Sequence, residues 1–108
     1  MSMSMLCEQC KKPIQTLILE GDFGADPLWC GQCLANLDLE NLPLNEALLT
    51  ELTSWMCNFG EWINLETDSF IEGMEHLAKI HDDQGTILAE TVATELGIKV
   101  TFSPYLLD

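Results

Sequence analysis

The sequence predicts an α+β protein. An N-terminal β-hairpin region carrying paired cysteines packs on two long α-helices, and a C-terminal strand returns to pair with the hairpin sheet. Three observations carry this. Two Cys-x-x-Cys pairs flank a short run rich in β-branched residues, residues 43–97 repeat apolar side chains at helical spacing, and residues 98–103 alternate apolar with polar. The 108 residues fit one compact domain, read as subregions 6–42, 43–97 and 98–108.

The first subregion holds Ile14-Gln15-Thr16-Leu17-Ile18-Leu19, bounded by Pro13 and Gly21, which reads as a strand. Gly21-Asp22-Phe23-Gly24-Ala25-Asp26-Pro27 is loop chemistry, and Leu28 and Trp29 lead back to the second cysteine pair.

The helical subregion starts near Pro43 or Asn45. Leu48, Leu52, Trp55, Phe59 and Trp62 follow in steps of four, three, four and three, flanked by Leu49, Met56 and Ile63. That spacing predicts one helix of about 20 residues with a wide apolar face. Trp55, Phe59 and Trp62 are expected in the core; an exposed docking stripe is the alternative.

A second helix is expected after the Leu65–Asp68 connection, with Ser69 and Glu72 at capping-box spacing. Its stripe runs Met74, Leu77, Ile80, His81, Ile87, Leu88, Val92 and Leu96, with a break expected at Asp82-Asp83-Gln84-Gly85 and a cap at Gly97. Ile98, Val100 and Phe102 then alternate with Lys99, Thr101 and Ser103, and Pro104 stops the strand. A lone strand leaves its backbone unpaired, so its expected partner is the strand near Thr16–Leu19.

Charge restricts the partners. Eighteen acidic residues face four lysines and no arginine, for a formal net charge of −14. Such a surface repels phosphate backbones and lacks the forked donors that read bases, so direct nucleic-acid binding is not expected. A basic protein partner is the natural complement; solubility alone is the plainer reading. No apolar run is long enough to span a bilayer. Met1-Ser2-Met3-Ser4-Met5 lacks a basic region followed by an apolar stretch, so it reads as a frayed tail and not a secretory signal. Five cysteines in that setting indicate a reducing cytoplasm and metal in place of disulfides.

The chemistry sits in Cys7-Glu8-Gln9-Cys10 and Cys30-Gly31-Gln32-Cys33. Two intervening residues let a tight turn aim both sulfurs at one point, and the 19 residues between the pairs can run out and back as a hairpin. Cys7, Cys10, Cys30 and Cys33 are therefore the expected ligands of one structural Zn²⁺. Four thiolates close the tetrahedron and leave no position for a reacting water, which points away from catalysis. Lys11 and Lys12, beside the first pair, could offset thiolate charge.

The pattern resembles the zinc-ribbon and treble-clef families over about residues 6–40. The resemblance implies a metal-folded module and leaves its function open. Many family knuckles carry glycine after the second cysteine; Lys11 and Leu34 stand there in this chain. A treble clef would start a helix at the second pair, and the ribbon is preferred. The helical part is faintly similar to small acidic bacterial proteins encoded beside toxins.

Cys57 reads as a free buried cysteine, and His76 and His81, five apart, lack the spacing of a helical metal pair. The expected function is non-enzymatic: an adaptor or inhibitor that binds another protein. A redox- or metal-responsive switch at the four cysteines is the alternative.

Overall fold

A computed structural model describes residues 5–106. Of the expected tail at residues 1–5, residues 1–4 lie outside that range, as do the last two residues, whereas Met5 is not frayed: its carbonyl accepts the Ile14 N–H at 2.7 Å and it packs against the core. The fold is α+β, with a mixed four-stranded sheet and two helices.

Strands β1 (Thr16–Leu19), β2 (Leu28–Cys30) and β3 (Asn36–Leu37) form an antiparallel meander. The C-terminal strand β6 (Lys99–Phe102) adds to the other side of β1, in parallel, giving the order β3-β2-β1-β6. The expected pairing of the two distant segments is thus present, with Thr16 opposite Lys99 and Leu19 opposite Phe102. Alternation puts Leu17, Leu19, Leu28 and Cys30 on the same buried face.

Helix α1 spans Glu46–Cys57. The Asn45 side chain caps it by accepting the Leu48 N–H at 2.8 Å, and the Glu95 carboxylate accepts two hydrogen bonds from Asn45, which ties the start of α1 to the following helix. Leu48, Leu52 and Trp55 are its buried face. The helix stops after 12 residues, short of the expected 20 or so. Gly60 takes φ +87°, outside helical space, and a side chain there would meet the Phe23 ring at 2.3 Å. The chain turns instead into a small hairpin, β4 (Ile63–Asn64) and β5 (Ser69–Phe70). Trp62 still reaches the core at 1% exposure, so the apolar spacing continued where the helix did not.

Helix α2 spans Glu75–Leu96. The expected capping box at Ser69 and Glu72 is not used, because Ser69 belongs to β5. Nor does the helix break at Asp82–Gly85. A side chain at Gly85 would lie 2.4 Å from the Phe102 ring, so this glycine lets helix and sheet approach. The Asp82 carboxylate accepts the backbone N–H groups of Tyr105 and Leu106 at 2.8 and 2.9 Å, and Asp83 pairs with Lys79. Residues that read as local breakers serve tertiary contacts here. Gly97, at φ +69°, ends the helix as expected, its N–H on the Ala93 carbonyl. No described helix is long and apolar enough to cross a membrane.

Candidate metal centre

The two cysteine turns are built alike. In the first, the Lys11 N–H bonds to the Cys7 carbonyl at 2.9 Å and the Cys7 N–H to the Lys12 carbonyl at 3.0 Å. In the second, the Leu34 N–H bonds to the Cys30 carbonyl at 2.9 Å and the Cys30 N–H to the Ala35 carbonyl at 2.9 Å. Lys11 and Leu34 both sit in the left-handed region, at φ +62° and +66°. That explains why glycine suits this position, and both non-glycine residues hold the turn at a cost of about 1–2 kcal/mol each. A strand, β3, and not a helix follows the second turn.

The turns are fastened to the sheet and to each other. The Gly31 N–H donates to the Thr16 carbonyl at 2.9 Å, and a Cβ on residue 31 would fall 2.0 Å from Thr16 Oγ1. Glycine is required there by space. The Gln32 side-chain amide donates to the Pro13 carbonyl at 2.6 Å, bridging to the first turn, while its backbone N–H points at Cys30 Sγ, 3.4 Å away.

As a result the Sγ atoms of Cys7, Cys10, Cys30 and Cys33 all lie within 4.8 Å of one another and could hold a metal ion. Tetrahedral zinc–sulfur bonds of about 2.3 Å place sulfurs about 3.8 Å apart, so the cluster fits the donor geometry of such an ion. All four are free thiols, with Cys7 and Cys30 buried and Cys33 exposed. Cys7 is lowered to about 7, first by the Cys10 backbone N–H, against the opposing effect of burial. Cys33 is pushed up to about 11: the Ala35 backbone N–H acts to lower it, and partial desolvation of the sulfur with the neighbouring thiols of Cys7, Cys30 and Cys10 outweighs it. Crowded sulfurs retain protons that a cation would displace. Lys11 and Lys12 are exposed.

The remaining candidates fall elsewhere. Cys57, expected to be buried, is exposed at the end of α1, two positions past Trp55 and off the apolar face. His76 is exposed and His81 buried. Trp55 and Trp62 are core residues at 3% and 1% exposure, which excludes them as a free docking stripe.

The sequence reading missed the role of His81. Its ring stacks on Trp55 with centroids 4.1 Å apart. Its Nε2 lies 2.9 Å from the Trp55 carbonyl, which assigns the ring proton to Nε2, and Trp55 Nε1–H donates to the His81 carbonyl at 2.9 Å. Burial lowers the His81 pKa, while the Trp55 carbonyl, Asp82 and Glu61 act to raise it. Trp62, Phe59 and Tyr105 extend this aromatic cluster. Heptad spacing marked Trp55, Phe59 and Trp62, and the stripe of the second helix included His81, but nothing local marked its pairing with Trp55.

Fold and site together define a small α+β protein with a four-thiol cluster at one end of its sheet. The model of the Serratia CdiI immunity protein-like family matches residues 15–105, and the chain belongs to that family. The matched span contains Cys30 and Cys33 and begins after Cys7 and Cys10. No curated protein matches the chain.

Proposed function

We propose that this chain is an immunity protein: a non-enzymatic, cytoplasmic, single-domain inhibitor that binds and neutralises a protein toxin. The family match over residues 15–105 carries this reading. The excess of 18 acidic residues over four lysines supports a basic toxin surface as the partner, and argues against nucleic acid or an anionic membrane. Cys7, Cys10, Cys30 and Cys33 hold one structural zinc in a ribbon-like module; the strand after the second turn favours a ribbon over a treble clef. The ion, fully coordinated by thiolates, folds the segment and performs no reaction.

Co-expression with a candidate toxin of the kind such immunity proteins neutralise tests the proposal. Growth should be restored, and the purified pair should form a stoichiometric complex that associates more slowly as salt rises. Absence of both protection and complex overturns it. A second reading, in which mild peroxide oxidises two thiolates to a disulfide and releases the zinc, is favoured by exposed Cys33 lying 3.5 Å from Cys7. Zinc retained under mild peroxide removes that reading.

A further inference from the structure

The register of β1 places the thiol cluster and a second feature at opposite ends of the strand. Leu17 lies opposite Cys30, whereas Leu19 is followed by a loop that faces residues 103–105. There a pocket of about 420 Å³ opens between the 20–22 loop, the end of α1, the middle of α2 and the segment after β6. Its accessible aromatic surfaces come from Phe59, half-buried, and Tyr105, 40% exposed; Trp55 also borders it but is buried. Its carboxylates come from separate elements, Glu20 and Asp22 on the loop and Asp82 on α2.

Two observations give this pocket a chemical preference. None of the described lysines lines it, and burial keeps the ring of His81 from adding positive charge. Gly21, whose backbone does not require glycine, borders the opening: a Cβ there would come 2.6 Å from the Phe59 ring and 3.3 Å from His81 Cε1. The glycine lets the 20–22 loop close directly onto the Phe59 ring, which brings the backbone carrying Glu20 and Asp22 up against the aromatic wall.

We propose that this pocket receives the guanidinium of an arginine presented by the protein partner, laid against the aromatic rings and paired with Glu20 and Asp22. The proposal rests on the immunity reading for the partner's being a toxin. A planar cation that stacks on rings and donates through several N–H groups uses both kinds of wall; a lysine ammonium uses the carboxylates alone as a point charge. The chain contains no arginine, so a second copy of itself cannot supply the group.

The test uses the full, metal-loaded chain and two probes, N-acetyl-arginine amide and its neutral isostere N-acetyl-citrulline amide. NMR titration into the low-millimolar range should shift the Trp55, His81 and Tyr105 side-chain signals saturably with the arginine probe and not with the citrulline probe. Glu20→Gln with Asp22→Asn should weaken this response at least threefold. Both acidic positions are exposed, so their variants fold. In the toxin complex the double variant should weaken binding about tenfold or more. An equal response to both probes, or shifts confined to other surfaces, overturns the pocket assignment. So does a double variant that binds toxin as tightly as the parent, and that result leaves the immunity reading intact. If the parent chain binds no toxin, the immunity reading fails, while the two amide probes still decide the pocket.

Discussion

Replacing Cys33 by serine separates the metal's contribution from that of packing. Cys33 is exposed, and an exposed substitution by itself changes stability by about 0.5 kcal/mol or less. Its sulfur nevertheless belongs to the cluster whose members lie within 4.8 Å of one another. A site holding zinc at about a thousand times its dissociation constant stabilises the folded chain by about 4 kcal/mol. At roughly 4 °C per kcal/mol for a domain of this size, losing the site lowers Tm by about 16 °C. Cys57→Ser is the matched control, since Cys57 is equally an exposed thiol but lies outside the cluster. The assay combines zinc content per chain with thermal unfolding at fixed excess zinc. Cys33→Ser should lose the metal and the stability together, and Cys57→Ser should lose neither. A Cys33→Ser protein that keeps one zinc per chain and melts within about 2 °C of the parent would refute the reasoning, because four-thiolate coordination would then not support the fold.

Leu34→Gly should stabilise the protein by about 0.5–1 kcal/mol, because relief of the positive φ exceeds the entropy glycine adds to the unfolded chain and Leu34 is 63% exposed; a lower urea midpoint would contradict this. Gly31→Ala, in the same turn, should have the opposite sign and cost about 1–3 kcal/mol, since its Cβ would collide with Thr16. His81 sets a pH dependence. Burial depresses its folded pKa below the ordinary 6.5, so above that value the ring is neutral in both states and its contribution is complete. As pH falls below 6.5 the unfolded chain takes up a proton that the folded ring refuses, and stability drops toward the folded pKa. Urea midpoints from pH 7.5 to 5.5 in excess zinc should fall for the parent and flatten for His81→Gln.

The sequence made the sheet and the cysteine cluster legible for the same reason: each imposes a constraint that spacing records. Two Cys-x-x-Cys turns have few other uses, and an alternating segment at residues 98–103 needs a strand to pair with, which only 16–19 supplied. The region between was harder to read. Trp55, Phe59 and Trp62 keep heptad spacing through Gly60, so periodicity runs on while the backbone turns into β4. Trp62 reaches the core from the turn before β4, at the spacing a continuing helix would have given it. Asp82 and Gly85 read as breakers because their partners, the backbone of residues 105–106 and the Phe102 ring, lie far along the chain. Cys57 reads as buried only from the general tendency of free cysteines, though its position relative to Leu48, Leu52 and Trp55 already puts it off the buried face.

The strands explain why this chain would need a metal at one end and an aromatic cluster at the other. β2 has three residues and β3 two, too few for a hairpin sheet to hold itself in water. The side of β1 near Thr16 is fixed by the cysteine turns through Gly31, whose N–H sits on the Thr16 carbonyl. The side near Leu19 is fixed by β6, by the Ser103 N–H on the Leu19 carbonyl, and by the stack of His81 on Trp55 behind it. Neither support substitutes for the other, because they act on opposite ends of a four-residue strand. An inhibitor that presents a preformed acidic and aromatic pocket gains affinity by not having to order it on binding. On the proposed reading, the support that positions Glu20 and Asp22 is the one at the Leu19 end, from β6 and the aromatic stack, while the cysteine cluster holds the opposite end of the same strand.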